Sequence, residues 1–231
     1  MNEHLNLWKP KTVRVPTLLG WAFLMSLFIG FSLSALQIVP RVLQIRRPVS
    51  TKILVAEGWM KRDMMKEVIR EFNQGNYELL LVTGGPVDDH DPIEHASGAD
   101  TFAEQGAWAL RSLGFPHQKI IAVPTKNSSQ RNRTLSFALS LVDWLEKNRP
   151  ETTAFNIATE SFHSRRSYWT YQRAFQKAGH KTSKAQYQVG ILGIHDPYLT
   201  SPWWSTSIGF KHVIMESIAV LYSIPNLFLK N

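Results

Sequence analysis

The sequence predicts an α/β protein, a Rossmann-like three-layer sandwich with a mostly parallel central sheet, preceded by one N-terminal transmembrane helix. Three observations carry that prediction. Residues 15–40, between Arg14 and Arg41, contain no formally charged side chain. Beyond them, five short apolar runs alternate with amphipathic stretches of helical period. Each run is continuously apolar, the pattern of parallel strands buried on both faces.

The apolar segment reads as an anchor. Thr17–Val39 at 1.5 Å per residue covers about 35 Å, enough for a hydrocarbon core of roughly 30 Å. It is longer than a usual signal-peptide core, and no Ala-x-Ala cleavage pattern follows it. The chain therefore divides into a basic tail at 1–14, a transmembrane helix at 15–40, a linker at 41–51 and an α/β domain at 52–231. The polar, proline-broken Arg46-Arg47-Pro48-Val49-Ser50 is the centre of the linker. Three bases precede the helix and four follow it, so the positive-inside rule does not set its orientation.

Within the domain, strands are expected at 53–56, 79–82, 120–123, 155–158 and 189–194. Helices are expected at about 60–72, 99–113, 134–147, 163–178 and 211–222, with Gly114 and Gly179 as stops. No internal repeat appears.

The chain of 231 residues has 26 Lys and Arg against 18 Asp and Glu, a net +8. Seven of the bases (Lys9, Lys11, Arg14, Arg41, Arg46, Arg47, Lys52) and one acid (Glu3) lie in residues 1–52. Most of the excess thus flanks one apolar segment, which fits lipid headgroups and not a nucleic-acid partner. Cysteine is absent, so no disulfide scaffold or thiolate–metal site is possible. The glycine-rich dinucleotide fingerprint, the P-loop, the nucleophile elbow and the His-Glu-x-x-His zinc motif are all absent.

In open α/β sheets a ligand sits at the carboxyl ends of the strands, near a switch in strand order. That rule selects Glu57-Gly58-Trp59, Thr83-Gly84-Gly85, residues 127–134 and Thr159–Arg166. In the last of these, His163, Arg165 and Arg166 enter a helix, where free N–H groups, the positive dipole end and guanidinium groups suit a phosphate or carboxylate. The alternative is that both arginines pair with protein carboxylates. Arg133 and Thr134 open another helix on the same rim. Gly84 and Gly85 either admit a ligand close to the backbone or simply turn the chain. Glu57 is a charged residue directly after a buried strand: a general base, an acceptor for a ligand hydroxyl, or the partner of an arginine. Glu57 and His163 are the catalytic candidates. Gly84, Gly85, Arg133, Thr134, Arg165 and Arg166 are the candidates for binding an anionic small-molecule or lipid-linked ligand. Asp88, Asp89, His90, Asp91, Glu94 and His95 form an acidic, imidazole-bearing run that matches no specific metal spacing and is read as solvated. Glu216 interrupts an otherwise apolar C-terminal helix and faces solvent, a buried base or the site. Trp203-Trp204 reads first as core packing.

The order of these motifs resembles the ElyC/SanA/YdcF-type family. It runs strand-Glu57-Gly58-Trp59, strand-Thr83-Gly84-Gly85, a helix carrying Glu104, a Val123-Pro124 strand, the Arg131-Asn132-Arg133-Thr134 helix start, and Thr159-x-x-x-His163-x-Arg165-Arg166. The likeness covers about residues 52–225, including Trp203-Trp204 and the Glu216 helix. Many members carry a Leu-Gly-Gly-like turn where this chain has Glu57-Gly58-Trp59, and Asn-Thr followed by Glu-Asn-Ala where it has Arg133-Thr134. It therefore resembles a subgroup. The resemblance implies a Rossmann-like domain on the bacterial inner membrane, single-pass and extracytoplasmic. It implies a role in envelope homeostasis linked to peptidoglycan or lipid-carrier metabolism, with Glu104 and Glu216 as supporting residues. One branch is associated with S-adenosylmethionine. The resemblance fixes neither cofactor nor reaction. Three functions are open: binding or processing of an anionic, phosphorylated or lipid-linked metabolite; nucleotide or S-adenosylmethionine binding; and a non-catalytic envelope scaffold.

Overall fold

A computed structural model of the chain describes residues 14–87, 98–125, 132–182, 187–197 and 202–228. It divides into two compact units, Met1–Ile38 and Val39–Asn231. The first unit is the body of helix α1 (Leu18–Leu43), which is long and apolar enough to cross a membrane. Thr17 starts it, its hydroxyl accepting the Gly20 N–H at 3.2 Å. The hydroxyls of Ser26 and Ser34 donate to the carbonyls four residues back, so neither is left unpaired on an apolar surface.

The second unit is the α/β domain. Its elements run β1 (Arg46–Arg47), β2 (Ile53–Glu57), α2 (Arg62–Gln74), β3 (Leu79–Gly84), α3 (Phe102–Ser112), β4 (Ile120–Pro124), α4 (Arg133–Asn148), β5 (Ala154–Glu160), α5 (Ser164–Thr182), β6 (Gln188–Ile194) and α6 (Ser207–Phe228). The sheet order is β1-β6-β5-β2-β3-β4, with β1 antiparallel to β6 and the other pairs parallel. The expected architecture is present: a mostly parallel six-stranded sheet between helical layers.

Side chains alternate between the faces of a strand, so two cores form. Leu54, Ala56, Leu80 and Val82 pack against Met64, Met65 and Val68 of α2 and Ala107 and Leu110 of α3. Val55, Leu81 and Ile157 pack on the other face against Phe137 and Leu141 of α4 and Tyr171 and Phe175 of α5. The chain builds β2, β3 and β4 outward in one direction, then returns to place β5 on the opposite side of β2. The switch point is therefore the crevice between the carboxyl ends of β2 and β5.

Three details depart from the expected layout. Arg46 and Arg47 pair with Leu192 and Ile191 as an edge strand, where an unpaired linker was expected. Helix α1 continues to Leu43, three residues past the expected end. Helix α5 continues through Gly179 to Thr182, because a glycine stops a helix only when the chain leaves helical geometry there.

Candidate functional site

Glu57 is the last residue of β2 and has no solvent exposure. Its carboxylate accepts hydrogen bonds from Thr159 Oγ1 on β5 (2.5 Å), Ser167 Oγ on α5 (3.1 Å) and Trp59 Nε1 (3.1 Å). None of these donors is an arginine, so the arginine-pair reading of Glu57 finds no support among the described residues. The nearest cationic candidate is His163, whose Nε2 lies 3.8 Å from Glu57 Oε2. The His163 ring stands edge-on to Trp59, with 5.3 Å between centroids.

Glu216 reaches the other side of His163 from α6. Its Oε1 lies 3.0 Å from His163 Nδ1, and Arg166 donates to both of its oxygens at 3.0 Å. With Nδ1 protonated, Oε1 accepts from imidazole and guanidinium together, which accounts for the 2.9 Å approach of Arg166 Nη2 to Nδ1. Burial alone would raise the Glu216 carboxyl. The hydrogen bond and charge of His163, joined by those of Arg166, outweigh it and hold the group at about 2, against an ordinary 4.5. The lone carboxylate of an apolar helix thus faces a buried base and an arginine.

The start of α5 already has an anion of its own. Glu160 accepts the N–H groups of Phe162 (3.0 Å) and His163 (3.1 Å), the position expected for a ligand oxyanion. Burial raises the Glu160 carboxyl, partly offset by the charge of His212, 3.6 Å away, and by those N–H groups. Helix α4 starts differently. Asn132, its cap residue, makes no side-chain capping bond. Thr134 Oγ1, in its first turn, lies 3.5 Å from His163 Nε2. The starts of α4 and α5 therefore meet at His163.

The remaining expected residues scatter. Arg165 turns away from His163: its Nε donates to the Val42 carbonyl and its guanidinium lies 5.6 Å from the centre of the Trp169 ring. Partial burial, and then the charge of Arg47, lower its guanidinium below the usual value. Arg133 is the first residue of α4. A Cβ on Gly84 would meet Ala103 N at 2.5 Å, so the space beside it belongs to the start of α3. Gly85 O accepts the Phe102 N–H and begins the same contact. Glu104 is spent in the capping box of α3 with Thr101. Trp203 is buried and stacks on Phe210, whereas Trp204 is largely exposed. Arg131 and the acidic run at 88–95 lie outside the described residues.

Sequence reasoning passed over Glu160, Thr159, Ser167 and Trp59 as individual site residues. Glu160 carries the same signal as Glu57, a carboxylate closing a buried strand. The two hydroxyls carry none, because Thr and Ser are common at strand ends and helix starts. Two grooves open elsewhere and do not reach His163. One, of about 570 Å³, lies at the amino ends of β2, β3 and β5 beside Lys52, Glu78 and Arg149. The other, of about 470 Å³, lies between β4 and α4. The buried carboxylates and imidazole, which hollow space alone does not require, make the switch point the candidate site. No known family model matches this chain, and no curated protein sequence matches it.

Proposed function

We propose that the protein binds or processes an anionic, phosphorylated or lipid-linked envelope metabolite at the switch point, in the manner its resemblance to ElyC/SanA/YdcF-type proteins implies. We place the domain outside the cytoplasm on the bacterial inner membrane. The observation that supports this is the convergence at His163: Glu57 on one side, the Arg166–Glu216 pair on the other, and Thr134 of α4 at 3.5 Å from Nε2.

In this reading the ligand anion rests against the first turn of α4, where Arg133, Thr134 and the positive end of the helix dipole supply positive potential. Arg166 lends its remaining guanidinium edge. His163 exchanges a proton with the ligand through Nε2, its Nδ1 steadied by Glu216 as a triad carboxylate steadies its imidazole. Glu57 stores or returns that proton from its enclosed position. The membrane residues support a lipid-linked ligand. Leu43 and Ile45, just past the apolar span, bond to Ser164 at the start of α5.

The test uses the full chain in lipid nanodiscs, with a polyprenyl phosphate and the matching polyprenol as probes. The phosphate is expected to raise the melting temperature and the alcohol to leave it unchanged. Thr134→Val and Arg133→Ala should each weaken phosphate binding about tenfold or more, the size of one charge-assisted hydrogen bond. Glu57→Gln should keep binding and remove any turnover of the bound lipid, a loss of about 10²–10⁴-fold for acid–base catalysis. Equal responses to phosphate and alcohol would end this reading.

One observation favours a second reading. Arg166 and His163 are both satisfied by Glu216, so the network also serves as a clasp fastening α6 to α5. A non-catalytic scaffold needs nothing more. Full complementation of a deletion strain by a Glu57→Gln/His163→Gln double variant would select it.

A further inference from the structure

We propose that α6 lies on the bilayer surface as a second membrane contact, its outer face among headgroups and upper acyl chains while its inner face presents Glu216 to His163. This does not depend on what the site binds.

The helix has two unlike faces. Val213, Glu216 and Val220 are buried. With 3.6 residues per turn they fall within about 60° of arc. Ile208, Phe210, Ile214, Met215, Ile218 and Leu221 are exposed, Ile208 at 60% and Leu221 at 65%. Those six spread over roughly 160° of the opposite side, an arc on which Lys211 is the sole charge. Water-exposed proteins rarely carry an apolar surface so continuous. Residues Ser207–Ile224 are also long and apolar enough to cross a membrane. A crossing would drag Glu216 and its partners Arg166 and His163 into hydrocarbon, at a cost that their fixed place in the domain forbids. A helix with one polar anchor inward and a broad apolar face outward lies along an interface.

The chain itself names the interface. The last turn of α1 belongs to the α/β unit, where Val42 O accepts from Arg165 and Leu43 O accepts from Ser164. Helix α6 is clamped to the same turn of α5 through Arg166. Only a few residues, at no more than about 3.6 Å each, separate the end of the apolar span from the helix that carries α6. The apolar span is therefore joined to the domain within a few residues of the α5 turn that holds α6. Around this junction Arg41, Arg47 and Arg165 have no carboxylate partner among the described residues, and anionic headgroups supply the missing countercharge. Trp204, Phe210 and Tyr222 add the aromatic side chains that favour the headgroup level.

The chain has no cysteine, so single-cysteine variants report one site each. Ile214→Cys, Ile218→Cys and Leu221→Cys are labelled with a fluorophore in the full chain. The protein is reconstituted in vesicles of phosphatidylcholine and phosphatidylglycerol containing shallow or deep nitroxide lipids. Phe28→Cys in α1 controls for insertion, and Glu151→Cys, at the amino ends of the strands, for background. The α6 labels are expected to be quenched more by the shallow nitroxide, at depths of roughly 5–10 Å, with Phe28 deeper and Glu151 unquenched. Quenching of the α6 labels no greater than that of Glu151, where Phe28 is quenched, overturns the proposal. Depths equal to Phe28 overturn it in favour of a second span. Label–label contact between copies with shielding from lipid overturns it in favour of a dimer through α6.

Discussion

Glu216 shows how much one residue depends on partners far away in sequence. Its carboxyl falls from 4.5 to about 2 because His163 and Arg166 outweigh its burial. A folded-state value below the unfolded one adds stability that is complete above about pH 4.5 and fades as the pH falls toward 2. A gap of that size corresponds to about 3 kcal/mol. Glu216→Gln is therefore expected to be less stable than the parent at pH 7 by up to about that amount. The two chains should converge on acidification to pH 2. Denaturant unfolding followed by tryptophan emission, in detergent at both pH values, measures it; a constant difference across that range would refute the assignment. Glu160 responds in the opposite sense, since burial raises it and favours its protonated form. Comparing the parent with Glu216→Gln cancels that contribution, which both chains share.

At the scale of elements, the carboxyl edge of the sheet is closed on one side by glycines. A Cβ on Gly58 would stand 2.0 Å from the Phe102 carbonyl oxygen, and one on Gly106 would stand 2.7 Å from Gly58 Cα. Helix α3 consequently packs directly on the ends of β2 and β3. Gly58→Ala must push backbone against backbone and should cost about 1–3 kcal/mol or more. Gly30→Ala, which meets nothing within 4 Å, should be neutral or slightly favourable. Thermal unfolding of the two variants side by side tests the contrast, and equal melting points would contradict it. Glycines of this kind were visible in the sequence only as flexible or ligand-facing positions; that Gly84 lies against α3 follows from helix placement, which no local pattern encodes. The main strands and helices were legible because continuous apolar runs and helical periods leave few alternatives. The edge strand was not. Arg46 and Arg47 lack any apolar pattern, and only the open side of β6 makes them a strand. In the site, Glu57 and His163 stood out as polar residues at strand ends and helix starts, and the structure sets them 3.8 Å apart. The partnership of Arg166 with Glu216 was illegible, because fifty residues separate them and the contact depends on where α6 lands.

For the whole molecule, α1 is long and apolar enough to cross a membrane, and most of the net positive charge flanks it in residues 1–52. A helix such as α1, 26 residues long, extends about 39 Å and should resist extraction by alkaline carbonate, which releases proteins held by charge alone. Recovery in the carbonate supernatant would contradict the anchor. The antiparallel β1 has a further consequence, for the birth of the protein. Its residues leave the ribosome first among all the strands, yet their partner β6 is the last to be made. Arg46 must wait for Leu192. At roughly 5–20 residues per second, translation of the chain between them takes on the order of ten seconds. Over that interval the hydrogen-bonding groups of β1 lack their strand partner. Closing the sheet at that late moment draws the two ends of the nascent domain together.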